Sequence, residues 1–134
     1  MDLRVRRLAA GSLLAVTVAA CGAAAPAPTA PPPLVFAIRT PAAEPQACMQ
    51  ALMVGSLERT PLSGLGIATA EGMTAVEWPF GSSARIVDGS VVLLDRSGKV
   101  VAREHDRVHV GGGQGAEGAW FACGDVTVES SVGG

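Results

Sequence analysis

Short apolar segments separated by turn residues occupy most of the chain after residue 50. Asp88-Gly89 is a strong hairpin signal and predicts that 84–87 pairs with 91–94. A second turn at 95–98 leads into another apolar segment at 100–103. Many short strands joined by Gly-rich turns are typical of an all-β barrel or sandwich. With about six such strands, we predict a small, partly open β-barrel of the OB type.

The remaining strands are read from the same alternation of apolar residues. They are predicted at 51–58, 73–78, 107–110, 119–123 and 126–128, with a loop at 61–66, an ambiguous segment at 67–72, and 47–53 as the only stretch with a turn or two of helix. Gly55 indicates a bulge or a close approach of another strand. The apolar face changes parity at Gly124-Asp125, which predicts a bulge there.

Several short motifs lie between Val76 and Cys123. They are Glu77-Trp78-Pro79, Val91 to Leu94 with Asp95 and Gly98, Glu104 with Asp106, Gly111-Gly112-Gly113, and Cys123-Gly124. This set resembles small uncharacterised domains on exported actinobacterial proteins. The resemblance brings no known activity with it.

The first twenty residues have the composition of a signal peptide. Arg4, Arg6 and Arg7 make the start of the chain basic, and 8–20 is apolar or small throughout. A membrane span needs roughly 20 apolar residues in helical form, and this segment is shorter. We therefore predict that 1–20 is a signal peptide and that the rest of the chain is exported.

This segment ends in Val18-Ala19-Ala20-Cys21, an aliphatic residue and two small residues before a cysteine. The pattern resembles the lipobox of bacterial lipoproteins, with valine in place of the commoner leucine. The resemblance implies diacylglyceryl transfer to the Cys21 sulfur and cleavage before Cys21. The acyl chains would hold the protein on the extracytoplasmic face of the cell membrane. The alternative is a secretory signal cut after Ala23-Ala24-Ala25, which Pro26 disfavours.

Residues 21–46 are predicted to be a lipidated cysteine followed by an Ala/Pro-rich tether. Gly22 to Pro33 contains only Gly, Ala, Pro and Thr, and its prolines favour extended polyproline II at ~3.1 Å per residue. Residues 34–38 have strand character, but 40–46 returns to tether-like composition. The small β domain is therefore predicted at 47–134.

Cleavage before Cys21 also changes the charge of the chain. The ten basic and twelve acidic residues fall to seven and eleven, a net charge of −4. This balance argues against a nucleic-acid partner and against electrostatic binding to anionic lipid.

Cys48 and Cys123 are the cysteines that remain after lipidation. An even number of cysteines in an exported chain predicts a disulfide. The alternative is a thiol pair for metal or redox chemistry, but the spacing is unlike C-x-x-C.

Trp78 and Phe80 are the candidate ligand-binding residues. Pro79 ends the predicted strand, so Trp78-Pro79-Phe80-Gly81 would present an aromatic lip at a strand end. The alternative for Trp78 is that it caps the hydrophobic core.

Other residue patterns do not form a recognisable catalytic or metal site. His105 and His109 would lie about 13 Å apart on one strand, too far to share a metal held at ~2.1 Å. Gly113 to Gly118 matches G-x-G-x-x-G, but no helix follows, and a loop is predicted. We predict no cofactor, no metal ligand and no catalytic residue. The remaining candidates are soft copper ligands at Met49, Met53 and Met73, for which core packing is the alternative, and carboxylates at Glu77, Asp88, Asp95, Glu104 and Asp106.

Two functional hypotheses follow. The first is a lipid-anchored envelope module that binds a partner protein or a small ligand without catalysis. The alternative is an envelope carrier of copper or zinc, or a small hydrolase, which would use the histidines, methionines and carboxylates.

The lipobox predicts the behaviour of a Cys21→Ser variant. Because the acyl chains would be attached to the Cys21 sulfur, the variant should remain unprocessed or be shed from the membrane. Detergent phase partitioning measures this directly. A variant that still enters the detergent phase at the mature size would contradict the lipoprotein interpretation.

Overall fold

Nine β-strands and one 3-10 turn make up the part of the chain that the computed structural model describes, Gly22 and residues 32–130. The signal peptide, the lipobox with Cys21, most of the tether and residues 131–134 lie outside the described residues. No helix in the described part is long and apolar enough to cross a bilayer.

The elements are numbered in chain order. They are β1 (Leu34–Phe36), β2 (Ala51–Thr60), β3 (Gly64–Thr69), β4 (Gly72–Glu77), β5 (Ser83–Val87), β6 (Ser90–Leu94), β7 (Val100–Arg103), β8 (Arg107–Gln114) and β9 (Trp120–Val128), with the 3-10 turn at Ala116–Gly118. The all-β prediction is confirmed.

Five of the strands close into a barrel in the order β2-β3-β4-β9-β8, because β8 pairs back with β2. All of its pairings are antiparallel except the short parallel contact of β4 with β9. The small OB-like barrel predicted from the sequence is therefore present. Its inner residues include the fully buried Leu57, Ile67 and Val76.

The other four strands form a second sheet in the order β1-β5-β6-β7. Strands β5 to β7 are inserted between β4 and β8, and the predicted hairpin at Asp88-Gly89 joins β5 to β6. Ala84, Leu93 and Ala102 of this sheet belong to the same hydrophobic core as the barrel residues. The two sheets thus share one core.

The predicted tether is too long at its C-terminal end. Strand β1 pairs with β5, and Phe36 and Ile38 pack against the core. The Arg39 N–H donates to the Ser63 carbonyl at 3.1 Å, and the Arg39 carbonyl accepts from the Trp78 N–H at 2.8 Å. The packed unit therefore begins at β1 and not at residue 47, because a short apolar segment is ordered by partners far along the chain.

Two irregularities predicted from the sequence are explained by the strand register. A Cβ on Gly55 would overlap the Ala68 carbonyl and the Ile67 side chain, so Gly55 permits a close approach of β3. The register of β8 with β9 shifts opposite Gly124-Asp125, which confirms the predicted bulge.

A disulfide joins Cys48, just before β2, to Cys123 in β9, with the Cα atoms 5.5 Å apart. The predicted pairing is confirmed. The bond links the start of the barrel sequence to its last strand across 75 residues.

Removing this cross-link should destabilise the fold. A Cys48→Ser/Cys123→Ser double variant should lose about 4.5 kcal/mol of unfolding free energy, since a loop of this length becomes free in the unfolded chain. Urea unfolding measures the loss, with the reduced wild-type protein as the matched control. An unchanged unfolding free energy would show that the bond contributes nothing to the stability of the barrel.

Candidate functional site

A groove lies at the point where the barrel ladder is incomplete. Strand β2 pairs with β8 from Ala51 to Ser56 but with β3 only from Ser56 onward. The first five residues of β2 therefore lack a β3 partner, and residues 68–71 of the β3–β4 hairpin form the other side of the gap. The resulting groove has a volume of about 630 Å³ and is lined by Leu52, Met53, Val54, Gly55, Ala68, Thr69, Ala70, Glu71, Arg107 and Trp120.

Trp120 is one of the residues that line this groove, and it carries a buried donor. The residue is 7% exposed, and its indole Nε1 is buried without a hydrogen-bond partner among the described residues. Nε1 lies against Gly112, where an added Cβ would come within 3.0 Å of it. A buried donor without an acceptor costs roughly 1–3 kcal/mol.

The lining of the groove is polar and apolar in about equal parts, and it includes one cation, Arg107, and one anion, Glu71. Arg107 Nε donates to Glu129 Oε2 at 2.7 Å, and His109 Nε2 lies 3.5 Å from the same oxygen. Glu71 is exposed in the hairpin. An apolar body with a polar group at its end would match this arrangement.

The two residues of the predicted aromatic lip lie in different surroundings. Trp78 is fully buried, and its Nε1 donates to the Leu65 carbonyl at 3.0 Å. It is a core residue and cannot contact a ligand, so the prediction that it binds one is wrong. Trp78 lies two residues after the buried Val76, so its side chain points to the same, core-facing side of the strand. Its indole N–H is satisfied by a hydrogen bond within the protein.

Phe80 remains a candidate. It is half-buried and forms a wall shared by two shallow clefts of about 250 and 240 Å³. The Arg96 guanidinium lies 5.3 Å from the centre of its ring, and the stem of Arg96 passes over Gly81. The disulfide lines the first cleft, beside Glu44. These clefts are smaller than the barrel groove, and Arg96 already covers part of the aromatic face.

The two histidines lie in different surroundings. His105 adopts a left-handed backbone conformation (φ 74°) in the turn between β7 and β8, whereas His109 lies within β8. His105 Nδ1 contacts Glu58 Oε1 at 3.0 Å. Ligand atoms of His105, Glu58 and Glu104 lie within 4.8 Å of one another.

This acidic cluster is already occupied by a cation of the protein. Arg59 binds Glu104 with two hydrogen bonds, of 2.8 and 2.9 Å, and Glu104 also accepts from the Val91 N–H at 3.0 Å. The Arg59 hydrogen bond lowers the pKa of Glu104, and the Glu58 hydrogen bond raises the pKa of His105. A metal ion would have to displace Arg59.

The other candidates are used structurally. Met49 covers Gly113 and Met73 lies beside Gly66, so these sulfurs do not form a common site. Residues 113–118 connect β8 to β9 through the 3-10 turn, as a loop and not a cofactor cradle. Most of the predicted carboxylates bond within the protein: Glu77 to Arg39, Asp95 to the amides of Ser97 and Lys99, and Asp106 to the Arg103 N–H.

Comparison with protein-family models, with curated proteins and with solved structures gave no match.

The raised pKa of His105 can be tested through its partner. A Glu58→Gln variant should lower that pKa towards its ordinary value, because the hydrogen bond to an ionised carboxylate is lost. In the wild type, the pair stabilises the fold below the ordinary histidine pKa, and this contribution disappears as pH rises through the raised value. An NMR titration of the imidazole measures the change, with Glu71→Gln as the control. An unaltered titration in Glu58→Gln would exclude Glu58 as the cause.

Proposed function

We propose that the chain is a lipid-anchored extracytoplasmic lipoprotein whose barrel binds an envelope protein or a small ligand without catalysis. The sequence Val18-Ala19-Ala20-Cys21 supports the anchor. The Cys48–Cys123 disulfide supports export, because disulfides persist in oxidising compartments.

The proposed binding function is supported mainly by the groove beside β2. It lies where the first five residues of β2 pair with β8 but lack a partner in β3. The Trp120 indole N–H is buried and has no hydrogen-bond acceptor among the described residues. Pockets with an apolar lining and a few placed polar groups are the usual form of a ligand site.

The face of the barrel that OB folds use for oligonucleotides is poorly suited to that ligand. Such faces combine aromatic stacking residues with positive charge. The residues of β3 and β4 that alternate with the buried ones are Gly64, Gly66, Ala68, Met73, Ala75 and Glu77. This composition supports the proposal that the partner is not a nucleic acid.

A zinc carrier is the second candidate function. Two carboxylates and an imidazole, from Glu58, Glu104 and His105, are suitable zinc ligands and lie close together. The bidentate Arg59–Glu104 pair opposes it. Metal analysis of protein purified without chelator separates this function from the first.

Photo-crosslinking can locate the binding surface. A benzophenone side chain at Leu52, which is 61% exposed in the groove, should capture the ligand or partner in native membranes. The same group at the exposed Lys99 in the β6–β7 turn is the control and should not. Mass spectrometry identifies the adducts. Equal adducts at Leu52 and Lys99 would contradict the groove as the site. The same group placed at Phe80 gives a second check, and adducts there with none at Leu52 would also contradict it.

A further inference from the structure

The groove beside β2 is lined by residues from both faces of that strand. Leu52, Met53, Val54 and Gly55 are consecutive, and all four line the groove. Successive side chains of a strand point to opposite faces of the sheet. A groove lined by consecutive residues therefore runs along the backbone edge of the strand and not across one of its faces.

The backbone groups of β2 turn to opposite edges in alternation. The Leu57 N–H donates to the Asp106 carbonyl at 2.8 Å, and the Leu57 carbonyl accepts from the His105 N–H at 2.7 Å, so Leu57 bonds on the β8 side. In an antiparallel ladder, successive residues direct their N–H and C=O groups to opposite sides. The odd-numbered residues from 51 to 55 therefore bond to β8, and Leu52 and Val54 direct theirs into the groove, where β3 does not pair with them.

The groove has the dimensions of one added strand. Five residues of strand are ~17 Å long at ~3.3 Å per residue and take ~4.8 Å of sheet width and ~10 Å of depth, which is ~800 Å³. The groove volume of about 630 Å³ is of the same order. Residues 68–71 of the β3–β4 hairpin form its other side, so the space is suited to a single extended chain.

We propose that the groove binds an extended peptide segment of a partner protein, which adds to β2 as a strand and exchanges backbone hydrogen bonds with Leu52 and Val54. This inference rests on the proposed binding function and names its ligand class. In such strand addition, main-chain hydrogen bonds supply affinity and alternate side chains supply specificity. Peptide side chains on the core-facing side would lie beside Met53, which packs against the core, and should be apolar.

A second copy of the chain is a poorer occupant of the groove. Its own β2 is paired with β8 on one edge and faces the hairpin on the other, so it is not a free segment. The backbone groups of Leu52 and Val54 require only an extended main chain, which an unpaired peptide provides.

Amide hydrogen exchange, measured by NMR on the full chain with its disulfide intact, tests the proposal. In the free protein, the Leu52 and Val54 amides should exchange faster than those of Met53 and Gly55, which are bonded to β8. The probe is a synthetic heptapeptide selected against the protein from a random linear library. At saturation it should slow exchange at Leu52 and Val54 by about tenfold and leave Met53 and Gly55 unchanged.

Two variants at one position separate backbone from side-chain contacts. Val54→Pro removes the amide that points into the groove and no bond to β8, so the barrel should fold. It should weaken binding of the selected peptide by about tenfold, because a peptide carbonyl loses its donor. Val54→Ala keeps the amide and is the matched control, which should bind as the wild type does. Equal losses in the two variants would overturn strand addition, and if Val54→Pro does not fold, the wild-type exchange pattern decides.

Other outcomes would also overturn the proposal. These are slow exchange of Leu52 and Val54 in the free protein, protection by the peptide at other amides only, and a library that yields no binding peptide. Protection that rises with protein concentration without peptide would indicate a second copy instead. Photo-crosslinking from Leu52 in native membranes reports the proposed function separately. Adducts there without peptide protection would overturn only the ligand class, and an absence of adducts would overturn the binding function itself.

Discussion

The barrel depends on a small buried hydrogen-bond cluster around the Leu65 carbonyl. That oxygen accepts from the Trp78 indole at 3.0 Å and from the Ser63 hydroxyl at 2.6 Å, and the Ser63 oxygen accepts from the Val76 N–H at 3.1 Å. The β3–β4 ladder ends just before these residues. Without Ser63 and Trp78, separating the two strands would leave buried backbone groups unpaired, at a cost of roughly 1–3 kcal/mol each. The cluster lets β4 leave β3 and pair with β9, which closes the ring.

The proposed binding groove results from the same mismatch between neighbouring strands. Strand β2 extends past β3, and Gly55 marks the last point at which the two backbones are in close approach. In residues 51–55 the edge of β2 that faces away from β8 is open, and Trp120 lines the adjoining groove. The structure thus places this groove where the ladder is incomplete, while the buried Trp78 stabilises the part of the ring where β4 leaves β3.

Local features of this fold could be predicted from the sequence, and non-local ones could not. The hairpin at Asp88-Gly89 and the bulge at Gly124-Asp125 were predictable because turn residues and parity are local signals. Strand β3 covers the end of the predicted loop at 61–66 and the start of the ambiguous segment at 67–72, since Gly64 and Gly66 have low strand propensity and are ordered by their neighbours. Most of the candidate site was not predictable, because the groove depends on strand lengths that only the register reveals. The sequence does not distinguish Trp120 from the other large aromatic residues, because its unpaired indole N–H is a property of the folded structure.

The disulfide is present in the structure and the lipid anchor is proposed from the sequence, and one intact mass tests both. Protein extracted from its native membrane should begin at Cys21, carry two or three acyl chains, and weigh two hydrogens less than its reduced form. The same mass would place the groove on a membrane-bound module. An unacylated Cys21, or a chain that begins at any other residue, would contradict the account.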